Sequence, residues 1–176
     1  MAQRLGIACH VSPLRFKLKR LAKEYPARGS ATLEEWLAAV ANARGARVVF
    51  PLIPVSNFLP PPEDKLSNEE LTVAICQPQG LDNPQILRLA AQLISAQLVD
   101  MEKLKLAAER ELVERVLAEL ARQALRVEPA HPAWQAILRF FGNEIPFREP
   151  LLHWTRLAEP AIGLRHENKL RWRLVA

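Results

Sequence analysis

Glycine is scarce in this chain. Only six occur in 176 residues and none cluster, which excludes a glycine-rich loop of the kind that cradles a phosphate through its backbone N–H groups. Cysteine is scarcer still. Cys9 and Cys76 lie in apolar surroundings (Gly-Ile-Ala-Cys and Val-Ala-Ile-Cys) with no partner at metal-ligand spacing. They read as buried reduced thiols, not as a disulfide or a metal site. The four histidines, His10, His131, His153 and His166, are far apart, without the i, i+4 pair or Cys-x-x-Cys that would hold zinc. His166-Glu167 does not begin a His-Glu-x-x-His motif, because Leu170 occupies the last position. No serine sits in a nucleophile elbow. No run of eighteen apolar residues occurs, and the N-terminus lacks the basic, apolar and small-residue sequence of a secretory signal. These absences lead to the expectation of a soluble, cytoplasmic protein with no catalytic residue, no cofactor, no metal and no membrane partner.

What is present is a helix-forming, 49% hydrophobic chain long enough for one well-buried core. Fourteen prolines break its periphery into short elements. The expected fold is mainly α: a single helical domain of about six helices, with a small peripheral β element formed by the N- and C-terminal segments. Within residues 1–176, residues 1–45 read as a basic strand and an αα-hairpin, 46–66 as a Pro-rich extended arm, 67–142 as the helical core, and 143–176 as a Pro-rich irregular segment ending in a basic strand.

The core reading centres on Pro84 to Arg126. Asp82 or Asn83 can cap a helix with Pro84 at its first position, and the apolar set Ile86, Leu87, Leu89, Ala90, Leu93, Ile94 wraps more than one face, as in a helix buried between neighbours. Past a cap at Asp100, Met101, Leu104, Ala108, Leu112, Val116, Leu120 and Ala124 form one long stripe at three- and four-residue spacing. Lys105 with Glu109, Arg110 with Glu114, Glu111 with Arg115 and Arg115 with Glu119 are opposite charges four apart, the marks of a solvated face. Leu87-x-Leu-Ala-Ala recurs as Leu104-x-Leu-Ala-Ala; two helices with similar packing faces account for it without a solenoid.

Local chemistry marks other helices. Ser12-Pro13 starts one through Tyr25, Thr32 with Glu35 forms a capping box before Trp36, Leu37 and Val40, and Ser67 with Glu70 forms a second. The pair Glu69 and Glu70 could be imagined as general acid and base, but capping uses the same residues more economically. Pro132 to Phe141 presents Trp134, Ile137, Leu138 and Phe141 inward, with His131 as a cap or turn residue and Gly142-Asn143 as the stop. Residues 46–55 read as an apolar edge strand or arm, because Pro51 and Pro54 cannot donate to a ladder. Pro60-Pro61-Pro62 stiffens the linker that follows. Leu151-Leu-His-Trp154 lies in a segment that packs on the core or on a partner. The alternation of Lys169 to Val175, like that of residues 3–11, fits a half-buried strand.

Charge is uneven. Residues 1–31 hold seven Lys or Arg against one acid, residues 32–128 ten against fourteen, and residues 129–176 seven against four. Basic ends suggest an anionic partner or docking on an acidic core. The sharpest feature is the first helix. Leu14, Leu18, Leu21 and Tyr25 share a narrow sector, while Arg15, Lys17, Lys19, Arg20 and Lys23 lie opposite with Phe16 among them. An aromatic ring among cations suits a nucleic acid, by stacking on a base while the cations neutralise phosphate, and equally a ring packed under a loop. A helix-turn-helix does not fit, since the second helix opens with Glu34 and Glu35, which repel phosphate. The leading functional expectation is a non-catalytic interaction protein that binds another protein or a second copy of itself through its Pro-rich arms. Nucleic-acid binding through the basic helix face is the alternative, and an enzyme without a recognisable motif is the third reading.

Overall fold

The computed structural model describes residues 12–46, 58–77 and 86–157. These form eight helices: α1 Pro13–Glu24, α2 Leu33–Ala43, α3 Asn68–Ile75, α4 Leu87–Ser95, α5 Met101–Glu111, α6 Glu114–Ala124, α7 Pro132–Phe141 and the single turn α8 Trp154–Leu157. The expected count of six is therefore too low, and no strand occurs among the described residues. The terminal β element, residues 47–55 of the apolar segment and the helix start at Pro84 with its caps all lie outside the described residues. No described helix is long and apolar enough to cross a membrane.

The helix starts follow from short-range chemistry. Ser12 Oγ accepts from the Arg15 N–H, and Pro13 fills the first helical position. Thr32 with Glu35 and Ser67 with Glu70 make complete, reciprocal capping boxes. Asp100 accepts from the N–H groups of Glu102 and Lys103, both at 3.0 Å. These caps satisfy donors that every helix start leaves open.

The packing centre is α3, which touches α1, α2, α4 and α5. Of its residues only Glu70 is not buried. A helix surrounded in this way has no solvated face, so the sequence gives it little amphipathic signal. Its N-terminal polar groups are met by neighbours: the Asn68 side chain accepts from Arg44 at 2.7 Å and donates to the Leu98 carbonyl at 3.1 Å, and Glu69 accepts from the Asp100 N–H at 2.6 Å. Glu69 and Glu70 are thus both structural acceptors. Arg44 also donates to the carbonyls of Pro61 and Leu66, fastening the end of the Pro-rich segment to α2. Leu66 there is fully buried.

As expected, α4 is enclosed: Leu87 to Ile94 are all buried, including Arg88 and Gln92. The matching Leu104-x-Leu-Ala-Ala is packed differently. Leu106 is 66% exposed where Leu89 is fully buried, so the two motifs share letters and not an environment. The long stripe over 101–124 is also broken. Leu112 takes a left-handed conformation (φ 58°) and turns into solvent, while the N–H groups of Leu112 and Val113 both reach the Ala108 carbonyl. Burial resumes at Val113. Ion pairs expected across the break do not form: Arg115 instead donates to the carbonyls of Ile145 and Pro146 and lies 4.0 Å from the Phe147 ring centroid.

That contact, with Arg122 donating to the carbonyls of Gly142 and Glu144, folds the described part of the C-terminal segment back onto α6. Leu152 and Leu157 are buried there, so this stretch packs on its own core. One hydrophobic cluster runs from Leu14 to Leu157.

Gly142 ends α7, but not by a left-handed turn: its φ is −64°. Its need for glycine is spatial, because a Cβ here would press into the Leu138 carbonyl backbone. Gly142→Ala is therefore expected to cost ~1–2 kcal/mol through local strain, seen as a lowered urea midpoint; an unchanged midpoint would show that the turn relaxes freely.

Candidate partner-binding surface

Helix α1 docks by one face and leaves the other open. Leu14, Leu18 and Leu21 are buried and Tyr25 is half-buried. At about 100° per residue, Arg15, Lys19, Lys23, Phe16 and Arg20 follow one another around the opposite side within about 140°. All five are exposed, Phe16 by 66%. The structure thus brings together five of the six residues picked out by the sequence.

Lys17 is the exception. It sits at the border with the core and its ammonium binds both carboxylate oxygens of Glu70 at 2.7 Å. Glu70 is at the same time the reciprocal member of the α3 capping box. Lys17 is therefore a tie between α1 and α3, and its charge is spent inside the fold.

Arg15, Lys19, Arg20 and Lys23 form no ion pair among the described residues. The neighbouring acids are engaged elsewhere. Glu24 is bonded to Lys65, which lowers its carboxyl pKa below the ordinary value, with a smaller contribution from the charge of Arg20. Glu35 is likewise held below its ordinary value, first by the Ala31 and then by the Thr32 backbone N–H. Lys65 is in turn raised, chiefly by its bond to Glu24, and lies over the Tyr25 ring.

A feature the sequence did not announce lies beside this face. Between α1, the turn after it and the start of α2 is an open groove of about 410 Å³, its floor made by Ala22, Ala27, Leu33 and Trp36. Lys19 and Lys23 stand at its edge, and Ser30 and Thr32 add hydroxyls. The small residues at 22, 27 and 31 make the room, and three separated alanines are the only signal of it in the sequence. No Asp, Glu, His or Cys lines it, and among the described residues no three such side chains converge as a metal site would require. Cys76 is buried, and burial pushes its thiol up to about 12; Cys9 lies outside the described residues.

The sequence also missed how α1 is anchored. Glu111, expected on a solvated face, is 4% exposed. Its carboxylate accepts from the Ser12 hydroxyl, from the Leu14 N–H at 3.3 Å and from Gln77 Nε2 at 3.0 Å, with Arg110 Nε at 3.4 Å. A carboxylate here faces the positive end of the α1 dipole. Gln77 Nε2 also donates to Ser12 Oγ at 3.0 Å. Glu111 and the Lys17–Glu70 pair thus hold α1 at its N-terminal end and its flank, with the cations outward.

No protein-family model, curated protein or solved structure matches this chain.

Proposed function

We propose that the protein is a non-catalytic helical module that works by binding another macromolecule, and that the outer face of α1 is the contact. The observation that carries this reading is the set Arg15, Lys19, Arg20 and Lys23 around an exposed Phe16, unpaired among the described residues, on a helix whose position is fixed from behind by Glu111 and Glu70. A cluster of four exposed cations raises the local concentration of an anionic partner and speeds its encounter. A rigid aromatic gives short-range contact at small cost in side-chain entropy. The Pro-rich arms support a protein or self interface less well, because the described part of the C-terminal arm is occupied by the chain's own α6.

A photo-crosslinking amino acid at Phe16, with one at exposed Glu102 as control, tests this in cells. The expected result is an adduct at position 16 that is absent at position 102 and lost when Lys19 and Lys23 are both changed to Glu. An equal yield at the two positions, or adducts indifferent to the charge reversal, would remove α1 as the contact.

A further inference from the structure

The binding face and the groove share two residues, Lys19 and Lys23. Arg15, Lys19 and Lys23 stand one helical turn apart, so their Cα atoms are spaced by about 6 Å along the axis and span about 12 Å. That spacing is close to the repeat of phosphates along an extended single strand. The cation row has an aromatic on one side and a recess on the other. Phe16 stands level with its upper end, and the groove over Ala22, Ala27, Leu33 and Trp36 opens beside its lower end.

Resting on the reading of α1 as the contact, we infer that the α1 face and the α1–α2 groove together form a track for single-stranded nucleic acid. The row Arg15, Lys19 and Lys23 holds successive phosphates, one unpaired base stacks on Phe16, and another enters the groove. The apolar floor takes the base plane. The Ser30 hydroxyl, which donates to the Ala27 carbonyl at 2.8 Å, and the Thr32 hydroxyl, which accepts from the Glu35 N–H at 3.2 Å, keep lone pairs for a base edge. Duplex is disfavoured, because its bases are already stacked and Phe16 would meet only phosphate and sugar. An acidic peptide would satisfy the cations but has no repeating planar groups for the ring and the recess. Base stacking on aromatics is tolerant of sequence, so the track is expected to read strandedness before sequence.

The test is fluorescence anisotropy of the full chain with labelled twelve-nucleotide oligo-dT and oligo-rU, a duplex of equal length, and an oligo-glutamate competitor. Both single strands are expected to bind tighter than duplex by about tenfold or more, with affinity falling steeply with salt. Phe16→Ala and the groove-filling Ala31→Trp should each weaken single-strand binding about tenfold, and K19E/K23E about a hundredfold. All these positions are surface ones, so circular dichroism melts should match the parent. A preference for oligo-rU over oligo-dT would identify RNA as the ligand, through its 2′-hydroxyls. Duplex bound as tightly as single strand, or binding unchanged in both F16A and A31W, overturns the track. If oligo-glutamate binds in its place and K19E/K23E abolishes that binding, the track fails while α1 stands as a contact for an acidic protein.

Discussion

Replacing Glu111 with alanine is expected to lower the stability of the fold by ~3–5 kcal/mol, read as a fall in denaturant midpoint at unchanged slope. The carboxylate is the shared acceptor for Ser12, Gln77 and the first turn of α1. Truncation takes this acceptor from the Leu14 N–H and the Ser12 hydroxyl and removes one of the bonds of Gln77, and orphaned donors cost more than the bonds contribute when made. Glu111→Gln separates charge from shape. Its carbonyl can replace one oxygen, but its amide turns a second acceptor into a donor facing other donors. A loss of ~1–3 kcal/mol is expected for it. If Glu111→Ala costs less than ~1 kcal/mol, α1 is held by its leucines and the Lys17–Glu70 pair, and Glu111 is no anchor of the cationic face.

The second large effect is at Trp134, which is fully buried in α7, a helix packed on α4, α5 and α6. Its indole N–H donates to Glu128 at 3.0 Å, Glu128 accepts from the Ser95 hydroxyl, and His131 Nε2 lies 2.9 Å from the Ser95 carbonyl. The ring therefore fills the core and closes a polar link between the end of α4 and the start of α7. Trp134→Ala should cost ~3–5 kcal/mol through the cavity. Trp134→Phe keeps most of the volume and leaves a Glu128 oxygen without its indole donor, for ~1–2 kcal/mol. Thermal and urea melts of the two variants separate packing from hydrogen bonding. Equal losses in both would assign the whole effect to the indole N–H.

What could be read from the sequence was chemistry confined to one or two turns. The boxes at Thr32 and Ser67 and the caps at Ser12 and Asp100 each rest on residues within a few positions of one another, and all four form. The five-residue outer face of α1 follows from spacing alone. The misreadings share a cause in long-range contacts. Glu111 looks like a member of charge pairs with Arg115, yet what determines its place is Ser12, 99 residues away. The break at Leu112 carries no glycine or proline to announce it. Gln77 and Glu69 give no hint in their own neighbourhoods of the distant groups they bond, Gln77 as donor and Glu69 as acceptor. The centrality of α3 was hidden for the opposite reason, since a helix buried all round shows no stripe. Lys17 is legible as a cation but not as one already spent, because Glu70 lies 53 positions on.

The same separation between Ser12 and Glu111 has a consequence in time. At about 5–20 residues per second of translation, Ser12 is synthesised ~5–20 s before the Glu111 that anchors it exists. A twelve-residue helix is marginal by itself in water. The first of the described helices to be made thus waits for an anchor at the end of the fifth.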